Sequence, residues 1–334
     1  MSSASTPKTD QPVLVTGGTG FVGSHLVEAL HARGYDDVRC LIRSKPGWLS
    51  GIPHQAVRAD LGSVDDLAAA MTGCSTVYHV AGRTRARSWE EFEDANVQGT
   101  LNLLQAASSL SPAPRVQIVS SLAAVGAAAD KVATENTPLR PVSMYGRSKA
   151  VMEDKIQAFR TLVPITVVRP PAVYGPRDAD IFTIFKGASR GVFPVVGGST
   201  GPALSLVHVT DLVRGMIDAA ESPATVGNTY FLGADPAYSW AQVKDAAARA
   251  LNRRVFTLRI PESLIVPVGA VVQAAGRLFG TYPPLNREKA LEIRDACIMC
   301  SSDRARLGFG YTAGVPLVEG FADAVDWYKG AGWL

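Results

Sequence analysis

Several features that would each decide a class are missing from this sequence. Cysteine is scarce: four in 334 residues do not make a disulfide framework, and a reducing, cytoplasmic setting is the expectation. Blocks of one charge are missing too. Net charge is +3 with no long basic run, so no nucleic-acid partner is expected. Uninterrupted apolar length is also lacking. The mostly apolar stretch from Leu264 to Gly280, LIVPVGAVVQAAGRLFG, is interrupted by Pro267 and ended by Arg277, and its 17 residues are short for a membrane span. It reads as a buried helix or a lid over an apolar substrate, with peripheral membrane contact as the alternative. The segment before Gln11 is polar, rich in Ser and Thr, and without a signal peptide's apolar core, so it reads as a frayed tail. A lone C-x-x-C, Cys297 to Cys300, has no second ligand pair at zinc-like spacing. No metal site is expected there; the segment reads as a short strand.

Hydrophobic residues make up 47% of the chain, ample for a large core in one or two intimately joined domains. The chain is organised around Val13-Leu14-Val15-Thr16-Gly17-Gly18-Thr19-Gly20-Phe21-Val22-Gly23. A short apolar strand runs into a glycine turn, and an amphipathic helix from Phe21 to Arg33 follows. Gly17 permits the tight turn, Gly20 lets backbone approach a pyrophosphate, and Gly23 lets the helix pack against its strand. The helix N-terminus, with unpaired N–H groups and the positive dipole end, then faces the phosphates. A second strand, Asp37 to Ile42, ends in Arg43, Ser44 and Lys45. An acid there would accept hydrogen bonds from the adenosine ribose and favour NAD. Two cations and a hydroxyl suit a 2′-phosphate, so NADP(H) is favoured. NAD(H) stays open, because Arg43 could instead stack on the adenine.

Three further strands are read at Val57–Leu61, Thr76–Gly82 and Val116–Ser121, the last ending in two hydroxyls. Between them lie a helix from Ser63 to Met71 and another from Trp89 to Ser108. His79 is expected to pack beneath the sheet. The basic loop Arg83–Arg87 follows a strand end, where loops line a ligand crevice, and reads either as a contact to substrate or cofactor phosphates or as a solvated charged loop. Met144-Tyr145-Gly146-Arg147-Ser148-Lys149 opens another helix, with Tyr145 and Lys149 on one face. Moving a hydride to or from a carbinol carbon requires a proton on its oxygen. A phenol with pKa near 10 is a poor base at neutral pH, and an adjacent ammonium is expected to bring the phenolate closer to working range.

These motifs together, T-G-x-x-G-x-x-G, Ser-Ser at a strand end, Y-x-x-x-K, and Arg169-Pro170-Pro171-Ala172-Val173-Tyr174-Gly175-Pro176, resemble the extended short-chain dehydrogenase/reductases. That family is also called the NAD-dependent epimerase/dehydratase-like family, and the likeness is to its dihydroflavonol-reductase and 3β-hydroxysteroid-dehydrogenase side. The resemblance implies an α/β fold, a Rossmann-type doubly wound parallel sheet with a small C-terminal α+β substrate lobe. Residues 11–176 would form the dinucleotide-binding domain and 177–334 the substrate lobe, interleaved with late Rossmann elements. Catalysis falls to Tyr145 as acid/base, Lys149 as its electrostatic partner and holder of the nicotinamide ribose, and Ser121 as donor to the substrate oxygen, with Ser120 the alternative. Cofactor binding falls to Gly17, Thr19, Gly20, Phe21, Val22, Gly23, Arg43, Lys45, Tyr145 and Lys149. It falls also to Asp60 and Leu61 along the adenine, Ala81 and Gly82 beneath the cofactor, and Pro170 and Val173 beside the carboxamide. For Asp60 a helix-capping role is the alternative.

In the same resemblance Asn96 belongs to an Asn-x-x-Gly-Thr helix, where it holds a kink or a water. Arg169 is a buried ion partner, and Asp211 caps or anchors a helix. Ser302–Phe309 and a helix over Leu317–Tyr328 close the chain, after a return strand within Gly227–Gly233. The implied activity is hydride transfer interconverting a ketone and a secondary alcohol on a bulky steroid-, flavonoid- or polyketide-like molecule. A nucleotide-sugar epimerase with tightly bound NAD is the alternative. Dehydratases of the family place an acid after the active Ser; here Leu122 follows Ser121. A homodimer stays open, since helices of this fold often form dimer interfaces.

Overall fold

Seven short strands form the sheet to which the other elements attach. The computed structural model describes residues 11–128, 132–196, 203–278, 286–296 and 298–334. The polar stretch before Gln11, read as a tail, lies outside these residues, as do Cys297 and the last two residues of Leu264–Gly280. β1 (Val13–Thr16) is buried along its whole length, the pattern of a parallel strand covered on both faces. It pairs in parallel with β2 (Val38–Ile42) and with β4 (Thr76–His79), Val13 lying opposite both Val38 and Thr76. β3 (Gln55–Arg58) forms one edge. β5 (Arg115–Val119), β6 (Ile165–Arg169) and, much later in the chain, β10 (Thr229–Phe231) extend the other, giving the order β10-β6-β5-β4-β1-β2-β3, parallel throughout. The chain winds outward from β1 to β3, then returns to β4 and winds the other way. The reversal opens a crevice beyond the carboxyl ends of β1 and β4.

Alternation along the strands sorts the core into two layers. Val13 and Val15 pack with Leu26, Val27 and Leu30 of α1 (Phe21–Arg33) and with Leu212 and Met216 of α7 (Val209–Glu221). Leu14, Val77 and Ile118 pack with Leu67 and Met71 of α2 (Val64–Met71), Leu103 of α4 (Gly99–Ser108) and Met152 of α5 (Met144–Lys155). The expected Trp89–Ser108 helix exists, but interrupted: α3 (Trp89–Phe92) passes through one π-helical stretch, Glu93–Gln98, into α4.

A third core gathers Tyr174, Phe185, Phe193, Phe321 and Tyr328. It lies among β7 (Ala172–Tyr174), α6 (Phe182–Ala188), β8 (Val192–Val196), β9 (Leu206–His208), α8 (Trp240–Leu251) and α12 (Leu317–Gly330). β7 pairs with β9, and β8 with β11 (Phe256–Ile260). α9 (Glu262–Leu278), α10 (Arg287–Asp295) and α11 (Asp303–Phe309) complete the chain.

Three local expectations change. The third strand ends at Arg58, so Asp60 and Leu61 stand beyond it in a turn. Cys300 makes only an isolated bridge to Ala133 and belongs to no strand. The apolar 264–280 segment is not a core helix: Ile265 is buried, but Leu264 is 51% and Val271 69% exposed. Pro267 lies inside α9, and among the described residues no helix is long and apolar enough to cross a membrane.

Candidate active site

The glycine turn is built as its spacing demands. Gly17 has φ 74°, and a Cβ there would lie 2.6 Å from the Ala81 nitrogen. A Cβ at Gly23 would lie 2.1 Å from the Gly17 carbonyl oxygen, so only glycine lets α1 approach β1 this closely. Gly20 N–H donates to Gly17 O at 3.1 Å, and Gly20 is the N-cap of α1. Having no side chain, it offers no cap, and the first turn of α1 holds no acid. The N–H groups of Phe21, Val22 and Gly23 thus meet no side-chain acceptor at the positive end of the helix dipole, a cradle for an anion such as a pyrophosphate. Thr19 supports the neighbouring loop: its carbonyl accepts from Trp48 N–H at 3.2 Å. Arg43 and Lys45 stand exposed just past β2 and make no ion pair among the described residues. Asp60 is exposed and accepts from Gly62 N–H at 2.6 Å. It does not cap α2; Ser63 does, accepting from Asp66 N–H. Leu61 packs against Gly99.

Beneath Ala81 and Gly82 runs a buried hydrogen-bond chain whose proton order follows from counting donors. The Thr100 hydroxyl gives its one proton to Asn96 O at 2.8 Å. His79 Nε2 must therefore donate to Thr100 Oγ1 at 2.9 Å, leaving Nδ1 to accept from the Thr16 hydroxyl at 2.8 Å. Thr16 Oγ1 in turn accepts from Ala81 N–H at 3.2 Å. Burial pushes His79 down to about 3, with Lys149 adding to the effect, so the ring is neutral and its tautomer fixed. It packs beneath the sheet, as expected. Asn96, in the π-helical stretch, donates to Arg83 O at 2.9 Å and Ser148 Oγ at 2.8 Å and accepts from Arg83 N–H at 2.7 Å. Ser148 donates to Tyr145 O at 2.7 Å. The loop after β4, the kinked helix and α5 are thereby tied together. Thr16, Thr100 and Ser148 carried no separate signal in the sequence; only the Asn-x-x-Gly-Thr spacing hinted at one of them.

Tyr145 and Lys149 lie on α5, whose N-cap Ser143 accepts from Gly146 N–H at 3.0 Å. A Cβ at Gly82 would lie 3.2 Å from Lys149 Nζ, which puts the ammonium beside the strand-end glycine over the crevice. The Tyr145 phenol is pushed up to about 12, chiefly by burial; a hydrogen bond with Ser121 opposes the rise, while Glu292 and Asp180 add to it. Burial prevails, so the phenol is raised where a lowering was expected. Lys149 instead donates to Val119 O at 2.8 Å and is itself pushed down to about 8 by burial, with Glu153 partly offsetting. The two serines face different ways. Ser120 donates to Glu153 Oε1 at 2.5 Å, and Arg169 clamps the same carboxylate at 2.6 and 2.9 Å, all within the core. Ser121 is the one that counters the rise at Tyr145, and its Oγ accepts from Ala123 N–H at 3.1 Å.

The segment after β6 closes the crevice. Pro170 O accepts from Leu122 N–H at 2.9 Å, and Val173 sits in β7 opposite Val207. Arg177, at φ 72°, reaches back to α1 and clamps Glu28 at 2.7 and 3.0 Å. Asp211 anchors rather than caps: it lies within the first turn of α7, pairs with Arg214 at 2.6 Å and accepts from Val315 N–H at 2.8 Å. In the basic loop Arg83 pairs with Glu91 at 2.8 Å, and Arg85 pairs with Asp180. Among the described residues no group of three or more His, Cys, Asp or Glu side chains is placed to hold a metal ion.

A doubly wound parallel sheet with a glycine cradle at its switch point and a Ser-Tyr-Lys set at its rim defines a dinucleotide-dependent class. Residues 13–233 match the family described as the NAD dependent epimerase/dehydratase family, and the chain belongs to that family, the extended short-chain dehydrogenase/reductases. It is an NAD(P)-dependent oxidoreductase of that type. Among its relatives is a ceramide reductase of Caulobacter vibrioides, 31% identical over 325 residues that cover 96% of each chain. Another is the 4-hydroxy-2-methyl-3-oxo-4-farnesyl-3,4-dihydroquinoline-1-oxide ketoreductase of Stigmatella aurantiaca, 32% identical over 92% of this chain and 93% of its own. Among solved structures, MoeE5 in complex with UDP-glucuronic acid and NAD superposes with a TM-score of 0.73 at 25% identity, covering 96% of this chain and 99% of the other.

Proposed function

We propose that the protein reduces a ketone to a secondary alcohol on a bulky apolar substrate, using NADP(H) in preference to NAD(H). The observation that carries this reading is the Ser-Tyr-Lys set at the crevice rim: Ser121 just past β5, Tyr145 in the first turn of α5, and Lys149 one turn further along with its ammonium beside Gly82. Bound nicotinamide cofactor supplies or accepts the hydride. In this reading Gly17, Thr19, Gly20, Phe21, Val22 and Gly23 receive the pyrophosphate, Arg43 and Lys45 the 2′-phosphate, and Asp60 and Leu61 the adenine. Ala81, Gly82, Pro170 and Val173 line the nicotinamide side, and residues 177–334 supply the substrate wall.

Tyr145 gives the proton to the carbinol oxygen. With the phenol raised to about 12, it is protonated throughout the neutral range, the state a reductase needs in its acid. Ser121 donates to the same substrate oxygen. Lys149, charged below about pH 8, holds the ribose hydroxyls in this reading. Leu122 after Ser121 supports a reductase over a dehydratase. The relatives named a ceramide reductase and a farnesyl-quinoline-oxide ketoreductase support an apolar ketone.

The alternative, a nucleotide-sugar epimerase with retained NAD, draws on the likeness to MoeE5. One assay separates them: NADPH and NADH oxidation followed across a panel of apolar ketones and nucleotide sugars. Stoichiometric NADPH loss with an apolar ketone is expected. Conversion of a nucleotide sugar with no net dinucleotide consumption would overturn the proposal.

A further inference from the structure

β8 and β11 pair in parallel with Phe256 beside Val192, Leu258 beside Pro194 and Ile260 beside Val196. Side chains alternate along a strand, so these six residues share one face. Between them, Phe193 and Val195 turn the other way into the aromatic core around Phe185 and Phe321. Four of the six have no such cover: Phe256 is 76% exposed, Leu258 55% and Val192 41%, and Pro194 is exposed too, while Val196 and Ile260 are half-buried. The chain then turns at Pro261 into α9, where exposed Leu264, Val268 and Val271 recur at helical spacing. The opposite side of α9 is committed to α10; a Cβ at Gly269 would come within 2.7 Å of Asn286 O. Single exposed apolar residues need no account, but a contiguous apolar face marks a binding surface.

Charge points to the occupant. Because β8 and β11 run parallel, both begin at one end, and the residues before them gather three arginines beside Phe256. Phe256 N–H donates to Gly191 O at 2.8 Å, next to Arg190, and Arg253 Nη1 donates to Ser189 O at 2.6 Å, with Arg254 adjacent. Arg190, Arg253 and Arg254 are all exposed and make no ion pair among the described residues. No acid lies between Ile181 and Val196 or between Ala246 and Pro261. A cationic edge beside an apolar face matches anionic lipid headgroups above acyl chains.

We infer that the β8–β11 face docks the protein on an anionic membrane surface, with Phe256 and Leu258 entering the headgroup–acyl boundary and the three arginines meeting lipid phosphates. This inference is independent of the proposed chemistry. The test is co-sedimentation of the full chain with vesicles of phosphatidylglycerol mixed with phosphatidylcholine, against vesicles of phosphatidylcholine alone. Binding to the anionic vesicles, weakened by salt, is expected. Phe256→Glu with Leu258→Glu should lower partitioning at least about tenfold. Arg253→Glu with Arg254→Glu should remove the preference for anionic lipid. Both pairs lie on exposed positions, and unchanged circular dichroism and thermal midpoints verify folding. Failure of the native chain to bind, or binding indifferent to both pairs of substitutions, overturns the inference. So does a dimer in equilibrium sedimentation that Phe256→Glu with Leu258→Glu dissociates, since a second copy would then cover the face.

Discussion

Lys149→Met should make the fold more stable at neutral pH while ending turnover. Lys149 is 5% exposed, and its ammonium donates to Val119 O at 2.8 Å. Glu153, the acid that favours its charge, is already engaged by Ser120 and Arg169. Burial therefore prevails and pushes the lysine from 10.5 down to about 8. At about 1.4 kcal/mol per pH unit, that gap costs the folded state about 3 kcal/mol wherever the group is charged in both states. Below pH 8 the cost is present in full. Between pH 8 and 10.5 the unfolded chain keeps a proton that the folded chain has released, so stability from this group rises with pH. Above 10.5 the group is neutral in both states and the cost is gone.

Met keeps most of the apolar stem and carries no charge. Against the gain stands Val119 O, which loses its donor at a cost of about 1–2 kcal/mol. The net expectation is that Lys149→Met is more stable than the native chain by about 1–2 kcal/mol at pH 7, and less stable by a similar amount once the lysine is neutral. Urea unfolding of both chains without dinucleotide, at pH 7 and above pH 10.5, reads the difference directly. Every other titrating group is common to both and cancels. A destabilisation of equal size at both pH values would refute the argument, because it would mean the ammonium carries no desolvation cost in the fold.

Other substitutions separate the roles assigned around Lys149. Tyr145→Phe should lower turnover about 10²–10⁴-fold or more while dinucleotide binding, followed by quenching of intrinsic fluorescence, stays near native. Ser121→Ala should lower kcat. Ser120→Ala should leave kcat close to native and instead cost about 1–2 kcal/mol of stability by removing a donor from the buried Glu153 carboxylate. Arg43→Asp should raise the KM for NADPH far more than that for NADH; an unchanged ratio would remove the 2′-phosphate assignment. Gly23→Ala should destabilise by about 2–4 kcal/mol, against the small gain that alanine brings in an ordinary helix interior, because the new methyl would meet Gly17 O at 2.1 Å; a thermal melt decides it.

What could be read in advance was whatever a single segment records about its own backbone. The Gly17–Gly20–Gly23 spacing states a turn, an open approach and a close packing, and each appears at its place. The apolar runs of β1, β2, β4, β5 and β6 state buried parallel strands, and the sheet follows from them. Tyr145 and Lys149 share a face because helical period puts them there. Their electrostatic relation did not follow from that period. It depends on how much water each group loses and on which distant groups close around it: Val119 O from β5, Glu153 held by Arg169, and Glu292 and Asp180 from elements more than thirty residues away. The same reason divides Ser120 from Ser121. Both are hydroxyls at one strand end, and only the arrival of Glu153 and Arg169 from two other elements draws one of them into the core.

For the apolar stretch at 264–280 the buried-helix reading fails in the opposite direction. Its composition suits burial, yet burial needs a partner face, and α10 covers only the Ile265–Gly269 side. Composition specifies that a segment can be buried; the rest of the chain specifies whether it is. In this fold residual apolar surface lies on α9 and on β11 just before it, on either side of the turn at Pro261. A chain of 47% hydrophobic residues that leaves Phe256 three-quarters exposed has not run out of interior by chance at that place, since Phe193 and Val195, one residue out of phase on the partner strand, are almost fully enclosed. The alternation that buries one face of β8 delivers the other to the surface, and that is the observation on which a lipid-facing role for this end of the molecule stands.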